Sequence, residues 1–494
     1  MNDIIRLTKE NEVFFKAHLN REQYLEFRTF LSHYADNYKF QPMFRSGMWD
    51  GKIYFVDKFG RFPIGLLGKF LEFCDRFKYD CSFDFPEKDF GEKISDEVLS
   101  NYFDVLFPPE KNIYPRDYQQ EAVAKAIRNG RGVLNLATSS GKSLIIYCMI
   151  RYLIAKGRKT LIIVPNISLV EQLFSDFHND YGWTNAMNHV CLNYGGKNID
   201  LQKEVLLTTW QSVYKNSESF FGKFDAVILD EAHTMKGKSI QEIGVKCVNA
   251  KFRIGLTGTM PKNEADFLTI VGYLGPVIHK IMSKELIDKG VISQIKIKNL
   301  ILNYPESMKL ARVNYQAEVD DINDYKNRNK ALNFIVDSAK PKENILILVT
   351  KIEHLLQVKK YLESQYPEKK IYEIYGKTEG DVREEIRKCL EKDDGSILVA
   401  SYGTFATGSN VKKLHHIVLF SSYKSQIKVL QAIGRGLRKH ETKECVMIWD
   451  CVDKMLYSDG RKTYKNWTYV HWEQNRLKYY DEQSFQYENL YFDI

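Results

Sequence analysis

Short apolar runs without polar alternation recur along the middle of the chain, at 132–136, 160–164, 205–208, 226–229 and 252–256. Strands that are apolar on both faces suit a parallel sheet covered on two sides, and the segments between them read as helices. The pattern returns at 344–349, 370–375, 396–400, 416–420 and 444–449. It predicts two α/β lobes in tandem. Ahead of them, residues 1 to about 110 mix short aromatic strands, such as 52–56, with a helical stretch at 66–77. Gly47, Gly51, Gly60 and Gly65 punctuate this region as turns, which predicts a small α+β domain. The stretch 295–329 is charged, lacks clear periodicity and reads as a connection. The end of the chain is rich in Tyr and Trp and reads as a short helical appendage. The expected boundaries are therefore 1–110, 111–280, 281–455 and 456–494.

Composition changes this picture little. A length of 494 residues suits about three domains, and 44% hydrophobic with 27% charged residues is ordinary for a globular chain. The net charge of +8 mildly favours a polyanionic partner. The 8 cysteines form no C-x-x-C pair, so a zinc ribbon or redox motif is not expected. Several lie in apolar runs and read as buried thiols of a reducing cytoplasm. The charged N-terminus is no signal peptide. The longest apolar stretch, 144–154, is interrupted by Arg151 and is too short to span a bilayer.

The chemistry begins where the first of these strands ends. Ala137, Thr138, Ser139, Ser140, Gly141, Lys142 and Ser143 follow it and precede an apolar helix. That strand–loop–helix order is the setting of a phosphate-binding loop, in which backbone N–H groups surround the phosphates. Lys142 would add positive charge and Ser143 would ligate Mg²⁺. Leu136 stands where the general pattern has glycine, and a chance Ser-Gly-Lys-Ser turn is the alternative. Some ninety residues on, the 226–229 strand delivers Asp230 and Glu231, followed by Ala232 and His233. Two adjacent carboxylates at the end of an apolar strand are costly unless they hold a cation or do chemistry. The expected roles are Asp230 on Mg²⁺ and Glu231 as the base that orients attacking water. A solvated acidic turn is the bland alternative.

Together these motifs resemble superfamily 2 helicases, and the family's other motifs follow in order. The resemblance implies two RecA-like lobes, ATP and Mg²⁺ as cofactors, and nucleic acid as partner. Arg116-Asp117-Tyr118-Gln119 resembles the adenine-reading motif, with Gln119 on the base edge and Arg116 beside it. Pro165 and Asn166, with Thr209 and Trp210, resemble the strand-contacting motifs of the first lobe. Thr257-Gly258-Thr259 resembles the coupling motif usually written Ser-Ala-Thr, with Gly in place of Ala, and His233 would share that role. Ser401 and Thr404 resemble second-lobe strand contacts, and Gly408 a nucleotide contact, in the run 400–410. Gln431, Arg435 and Arg438 form Q-x-x-G-R-x-x-R. At i and i+3 the two guanidiniums share one helical face, and across a cleft they would stabilise charge on the transferred phosphoryl group. Arg438 is the expected finger with Arg435 beside it, against a basic surface helix as the alternative.

A finer resemblance, over nearly the whole chain, is to the UvsW-type helicases of large-genome bacteriophages. It rests on Phe44-Arg45-Ser46-Gly47-Met48-Trp49-Asp50-Gly51-Lys52-Ile53, on Phe62-Pro63-Ile64-Gly65, and on Tyr469-Val470-His471-Trp472. It implies an enzyme of branched DNA, acting on forks, four-way junctions, displacement loops or R-loops in phage recombination, repair and replication inside the bacterial host. A monomer is expected. Arg45, Trp49 and Lys52, with Lys58, would meet DNA, unless the aromatics Trp49, Phe55 and Phe59 simply build a core. Three rivals remain: an RNA helicase or transcript-release factor, the duplex-translocating motor of a larger complex, and an ATP-switched clamp without turnover. Residues 488–492 match most of a protease-tag recognition sequence, with Asp493 where such a site needs Gln, and no function is assigned to 485–494.

Overall fold

The computed structural model describes residues 4–86, 90–305, 314–406, 411–423, 425–458 and 463–494. By contacts the chain divides into two compact units. One comprises Met1–Leu136 with Gly141–Ile281, and the other Met282–Ile494, which the segment Ala137–Ser140 joins.

The first unit opens with strands β1 (Ile5–Lys9), β2 (Phe14–His18), β3 (Ser32–Tyr34), β4 (Lys52–Tyr54), β5 (Arg61–Pro63) and β6 (Cys81–Phe83). Four of them form a sheet in the order β5-β2-β1-β6, and β3 pairs with β4 as a separate ribbon. The helices Arg21–Phe30 and Leu67–Phe77 bury Phe27, Phe70 and Phe73 against this sheet together with Phe15 and Phe62. Leu268 and Val271, from the helix Glu264–Leu274, belong to the same cluster, so the N-terminal region and the helix share a core. The approach is close at Gly65, where a Cβ would lie 1.8 Å from the Val271 carbonyl oxygen. A buried ion pair, Arg131 to Glu12 at 3.1 Å, ties the same region to the lobe that follows.

That lobe contributes β7 (Arg131–Leu136), β8 (Thr160–Val164), β9 (Val190–Asn193), β10 (Val205–Thr209), β11 (Ala226–Asp230), β12 (Phe252–Thr257) and β13 (Val277–Ile281). The order β13-β7-β12-β11-β8-β10-β9 is parallel throughout. The five expected strands are its centre. The two that the apolar runs did not reveal, β9 and β13, are its edges, where half-exposed backbone tolerates polar residues such as His279 and Lys280.

The second unit holds β14 (Gln294–Asn303), β15 (Ile345–Val349), β16 (Ile371–Ile374), β17 (Ile397–Ser401), β18 (His416–Leu419), β19 (Cys445–Lys454), the hairpin β20 (Leu456–Ser458) and β21 (Thr463–Lys465), and β22 (Tyr487–Asp493). A second parallel sheet of seven strands runs β16-β17-β15-β18-β19-β14-β22. These are the two RecA-like lobes and the small N-terminal region that the sequence predicts. One expectation is corrected. The stretch beginning at Ile295, read as an aperiodic connection, starts with the ten-residue strand β14. Its first half alternates Ile with Lys because only one face there is buried, and its second half, Leu300 to Leu302, is buried throughout.

The tail is helical over Trp467–His471 and Leu477–Glu482 and then adds the strand β22. The tag-like residues 488–492 thus lie in the sheet, and Asn299 Nδ2 donates to Asn489 Oδ1 at 2.9 Å. The aromatics Tyr469, Trp472, Tyr479 and Tyr480 are buried. Glu318 fixes the start of the first tail helix, accepting from Asn466 Nδ2 (3.1 Å), Trp467 N (2.9 Å), and Thr468 N (2.7 Å) and Oγ1 (2.9 Å). Among the described residues, no helix is long and apolar enough to cross a membrane.

Candidate nucleotide site

Parallel strands release their C-terminal ends along one edge of a sheet, the usual place for ligands in such folds. Here β12 lies between β7 and β11, so the phosphate loop, Thr257 and the Asp230–Glu231 pair emerge side by side. The loop turns through left-handed backbone at Ser139 (φ 67°) and Gly141 (φ 80°). Leu136, the departure from the usual glycine, is the fully buried last residue of β7, so the turn rests on the residues after it. Glycine suits position 141 on two counts. Its φ disfavours any other residue, and a Cβ there would sit 2.3 Å from Gln119 Nε2. Gln119 is buried in the first turn of the helix Asp117–Asn129, where its Oε1 accepts from the Arg116 backbone N–H at 2.8 Å. The expected base reader is therefore anchored against the phosphate loop, with Arg116 exposed next to it. Ser140 is buried in the loop and its N–H donates to the Ala137 carbonyl at 3.2 Å.

Lys142 and Ser143 open the helix Lys142–Ala155. Lys142 Nζ donates to Glu231 Oε1 at 3.0 Å. Glu231 itself has left-handed backbone (φ 53°), an uncommon state for a non-glycine residue and one that its surroundings must hold. Its Oε2 lies 3.3 Å from His233 Nδ1. The same ring nitrogen is 3.0 Å from Thr257 Oγ1, which donates to the Thr259 carbonyl at 3.1 Å. The expected coupling residues His233, Thr257 and Thr259 are thus linked at the end of β12, with Glu231 Oε2 beside them and without a hydrogen-bond partner among the described residues. Burial opposes ionisation of Glu231, but Lys142 and His233 outweigh it and hold the carboxyl well below its usual range. At Asp230 burial wins over the attraction of Lys142, and the repulsion of Glu231 adds to it, so its carboxyl is pushed up.

Asp230 Oδ1 is buried with no hydrogen-bond partner among the described residues. An orphaned anionic oxygen is costly unless something absent from the protein completes it, and a hard cation fits such an oxygen. Ser143 contributes a hydroxyl of the same hard-oxygen type, and its Oγ lies 2.6 Å from the Tyr181 hydroxyl. Tyr181 carries no motif. Only the aromatic spacing Phe177, Tyr181, Trp183 marks its neighbourhood in the sequence.

The other expected residues are spread over both units. Asn166 caps the helix Ile167–Ser175 by accepting from Leu169 N at 3.0 Å, next to half-buried Pro165. Thr209 is buried, with its hydroxyl 2.9 Å from Ser212 Oγ, and Trp210 packs against the core. The exposed residues of that motif are Gln211 and Ser212. In the N-terminal region Phe55 is core and Phe59 is exposed. Trp49 is half-buried, with its indole N–H bonded to the Lys52 carbonyl at 2.9 Å. Exposed Arg45 lies by Phe40, and Lys52 over Tyr34 at 5.3 Å. In the second unit, Ser401 Oγ donates to Thr404 Oγ1 at 2.9 Å at the end of β17. Gly408, with Thr407, Ser409 and Asn410, lies outside the described residues. Gln431 and Arg435 are on the helix Gln426–Gly436. The expectation that Arg435 and Arg438 share one helical face is corrected. Leu437 ends the helix, and Arg438 follows in irregular chain after the paired glycines Gly434 and Gly436.

Residues 8–84 match the family described as DNA helicase UvsW, N-terminal. Residues 112–262 match that described as type III restriction enzyme, res subunit, and residues 327–440 the helicase conserved C-terminal domain. The ATP-dependent DNA helicase uvsW of Enterobacteria phage T4 is 34% identical over 478 residues, covering 94% of each chain. A DNA 3'-5' translocase, XPB2 of Sulfurisphaera tokodaii, is 26% identical over 71% of this chain and 85% of its own. The crystal structure of T4 UvsW covers 99% of both chains at 31% identity with a TM-score of 0.52. With its phosphate loop, its Asp-Glu pair and two parallel seven-stranded lobes, the chain belongs to the UvsW family of superfamily 2, the ATP-dependent DNA helicases.

Proposed function

We propose that this helicase unwinds or branch-migrates forked and four-way junction DNA, and also displacement loops and R-loops, in phage recombination, repair and replication. The observation that carries the reading is the match of residues 8–84 to the UvsW N-terminal region, which lies outside the shared motor motifs. In this reading the chain works as a monomer in the host cytoplasm and is organised as 1–110, 111–280, 281–455 and 456–494. Gln119 and Arg116 select adenine. Ser139, Ser140, Gly141 and Gly408 bind the nucleotide, and Lys142 neutralises its phosphates. Ser143 and Asp230 hold Mg²⁺, which when bound spreads the phosphate charge. Glu231 takes the proton of the attacking water, and Arg435 and Arg438 stabilise charge in the transition state. His233, Thr257, Thr259 and Gln431 transmit the state of the nucleotide. Arg45, Trp49, Lys52, Pro165, Asn166, Thr209, Trp210, Ser401 and Thr404 line the path of the nucleic acid, mainly through phosphate contacts.

The test is ATPase rate with single-stranded DNA, duplex, a model fork, a four-way junction and single-stranded RNA, with strand products followed in the same tubes and Lys142→Ala as blank. Strong stimulation and ATP-dependent resolution by forks and junctions support the proposal. Stimulation by RNA alone, or by duplex without strand separation, overturns it in favour of a transcript-release factor or a duplex translocase.

A further inference from the structure

We propose that Tyr181 is a positioning residue of the nucleotide site, whose phenol holds the Ser143 hydroxyl with its lone pairs turned to the cation that accompanies ATP. The proposal deepens the assignment of Ser143 and Asp230 to Mg²⁺ and rests on it.

The contact is short, 2.6 Å between Ser143 Oγ and Tyr181 Oη, and joins residues 38 apart in sequence. The two side chains differ in freedom. Ser143 is half-buried at the start of its helix, and its hydroxyl can rotate. Tyr181 is buried and fixed from several sides. Its ring lies 5.2 Å from that of Tyr147, and Phe177 and Trp183 pack on the same Tyr147 ring at 5.9 Å. Arg151 covers Trp183 at 4.8 Å. The Tyr181 backbone is also held. Its N–H donates to the Asp176 carbonyl at 2.9 Å, and its carbonyl accepts from Lys111 Nζ at 3.1 Å. The chain reaches Tyr181 through a π turn, Asp176–Asp180, directly after the helix Ile167–Ser175. The wider turn re-aims the residue that follows it, and such turns recur at functional sites. A rigid aromatic block thus presents one polar atom, and that atom meets the serine next to Lys142.

Phenylalanine would fill the same volume without a buried hydroxyl to satisfy, so packing alone does not call for tyrosine. What the hydroxyl can supply follows from proton counting. A phenol, with an ordinary pKa of about 10, is neutral near pH 7. If Tyr181 donates to Ser143, one serine lone pair is used. If Ser143 donates to Tyr181, both serine lone pairs remain for a metal. A cation near Oγ polarises the serine O–H and selects the second arrangement. The phenol then accepts the serine proton's hydrogen bond and fixes the rotor.

The experiment uses the full chain and a fluorescent, slowly hydrolysed ATP analogue, titrated with Mg²⁺ and separately in EDTA. Tyr181→Phe is expected to weaken Mg²⁺-dependent nucleotide binding about tenfold, the scale of one hydrogen bond to a charged centre, and to leave binding in EDTA unchanged. Ser143→Ala should lose the same Mg²⁺ dependence. The double variant should be no worse than Ser143→Ala, because Tyr181 acts through that serine. Unchanged Mg²⁺ dependence in Tyr181→Phe, with Ser143→Ala affected, overturns the proposal alone. Unchanged Mg²⁺ dependence in both overturns it together with the metal assignment. Additive losses in the double variant also overturn it, since the phenol would then act elsewhere.

Discussion

Both lobes place carboxylates on an inner strand of a parallel seven-stranded sheet, and they use them in opposite ways. In the first lobe β11 ends in Asp230 and Glu231. Asp230 Oδ1 and Glu231 Oε2 have no hydrogen-bond partner among the described residues, and the Glu231 backbone is held left-handed. In the second lobe β19 carries Asp450 and Asp453, and every carboxylate oxygen is satisfied. Asp450 takes Arg476 on Oδ1 and the Tyr480 hydroxyl on Oδ2 at 2.8 Å. Asp453 receives Arg328 on both oxygens, at 2.6 Å and 3.0 Å, and the Tyr304 hydroxyl at 2.8 Å. A buried carboxylate with a complete shell is part of the scaffold. One with an oxygen left over is waiting for something the chain does not supply. Incomplete satisfaction, rather than burial or charge, separates the two.

The largest effect that tests this contrast falls on Glu231. Glu231→Gln keeps the shape and removes the carboxylate proposed as the base. Hydrolysis is expected to drop about 10²–10⁴-fold, with nucleotide binding retained. Strand separation should fall with it, and unwinding that survives the loss of hydrolysis would favour a nucleotide-switched clamp. A drop of similar size in Asp450→Asn at unchanged stability would break the comparison, because it would give chemistry to the satisfied carboxylate.

The next effect is on stability and lies in the second lobe. Arg476→Met leaves Asp450 charged and buried without its main partner. Breaking such a pair typically costs about 3–5 kcal/mol. Urea denaturation should show that loss, and Arg476→Met with Asp450→Leu should recover most of it, since replacing both partners removes the stranded charge. Nucleotide affinity should stay within a few-fold of the parent. A double variant no more stable than the single one would mean that the pair does more than satisfy itself.

The same contrast explains what could be read from the sequence. The central strands were legible because a strand covered on both faces must be apolar throughout. Lys142, Asp230 and Glu231 stood out because a Gly-Lys-Ser turn precedes an apolar helix and an acidic pair ends an apolar strand, the pattern that phosphate and metal chemistry would call for. The edge strand β13 was hidden by its polar His279 and Lys280, β9 by being only four residues long, and β14 by the Ile–Lys alternation at its start. That Arg438 sits off the helix was not legible, because motif spacing does not locate a helix end beside Gly434 and Gly436. Tyr181 was invisible for a different reason. The role proposed for it depends on a contact across 38 residues of sequence, and nothing local distinguishes it from the packing aromatics around it.

The smallest effect concerns how the second lobe keeps an ionisable group neutral. His354 is buried, 3.3 Å from Ser421 Oγ, and its ring stacks on Phe420. Burial first, and then the nearby positive charge of Arg328, push its imidazole down to about 3 from an ordinary 6.5. The unfolded chain therefore binds a proton over that interval that the folded chain refuses. Stability from the neutral ring is fully present above the ordinary value and is lost as pH falls toward 3, with a slope of about 1.4 kcal/mol per pH unit. Other groups titrate there too, so the measurement is a difference between parent and His354→Asn in urea stability at pH 6, 5 and 4. The parent should lose stability faster by about that slope. Parallel profiles would mean that the fold admits the protonated ring, and that the second lobe's buried charges are less completely matched than the shells of Asp450 and Asp453 imply.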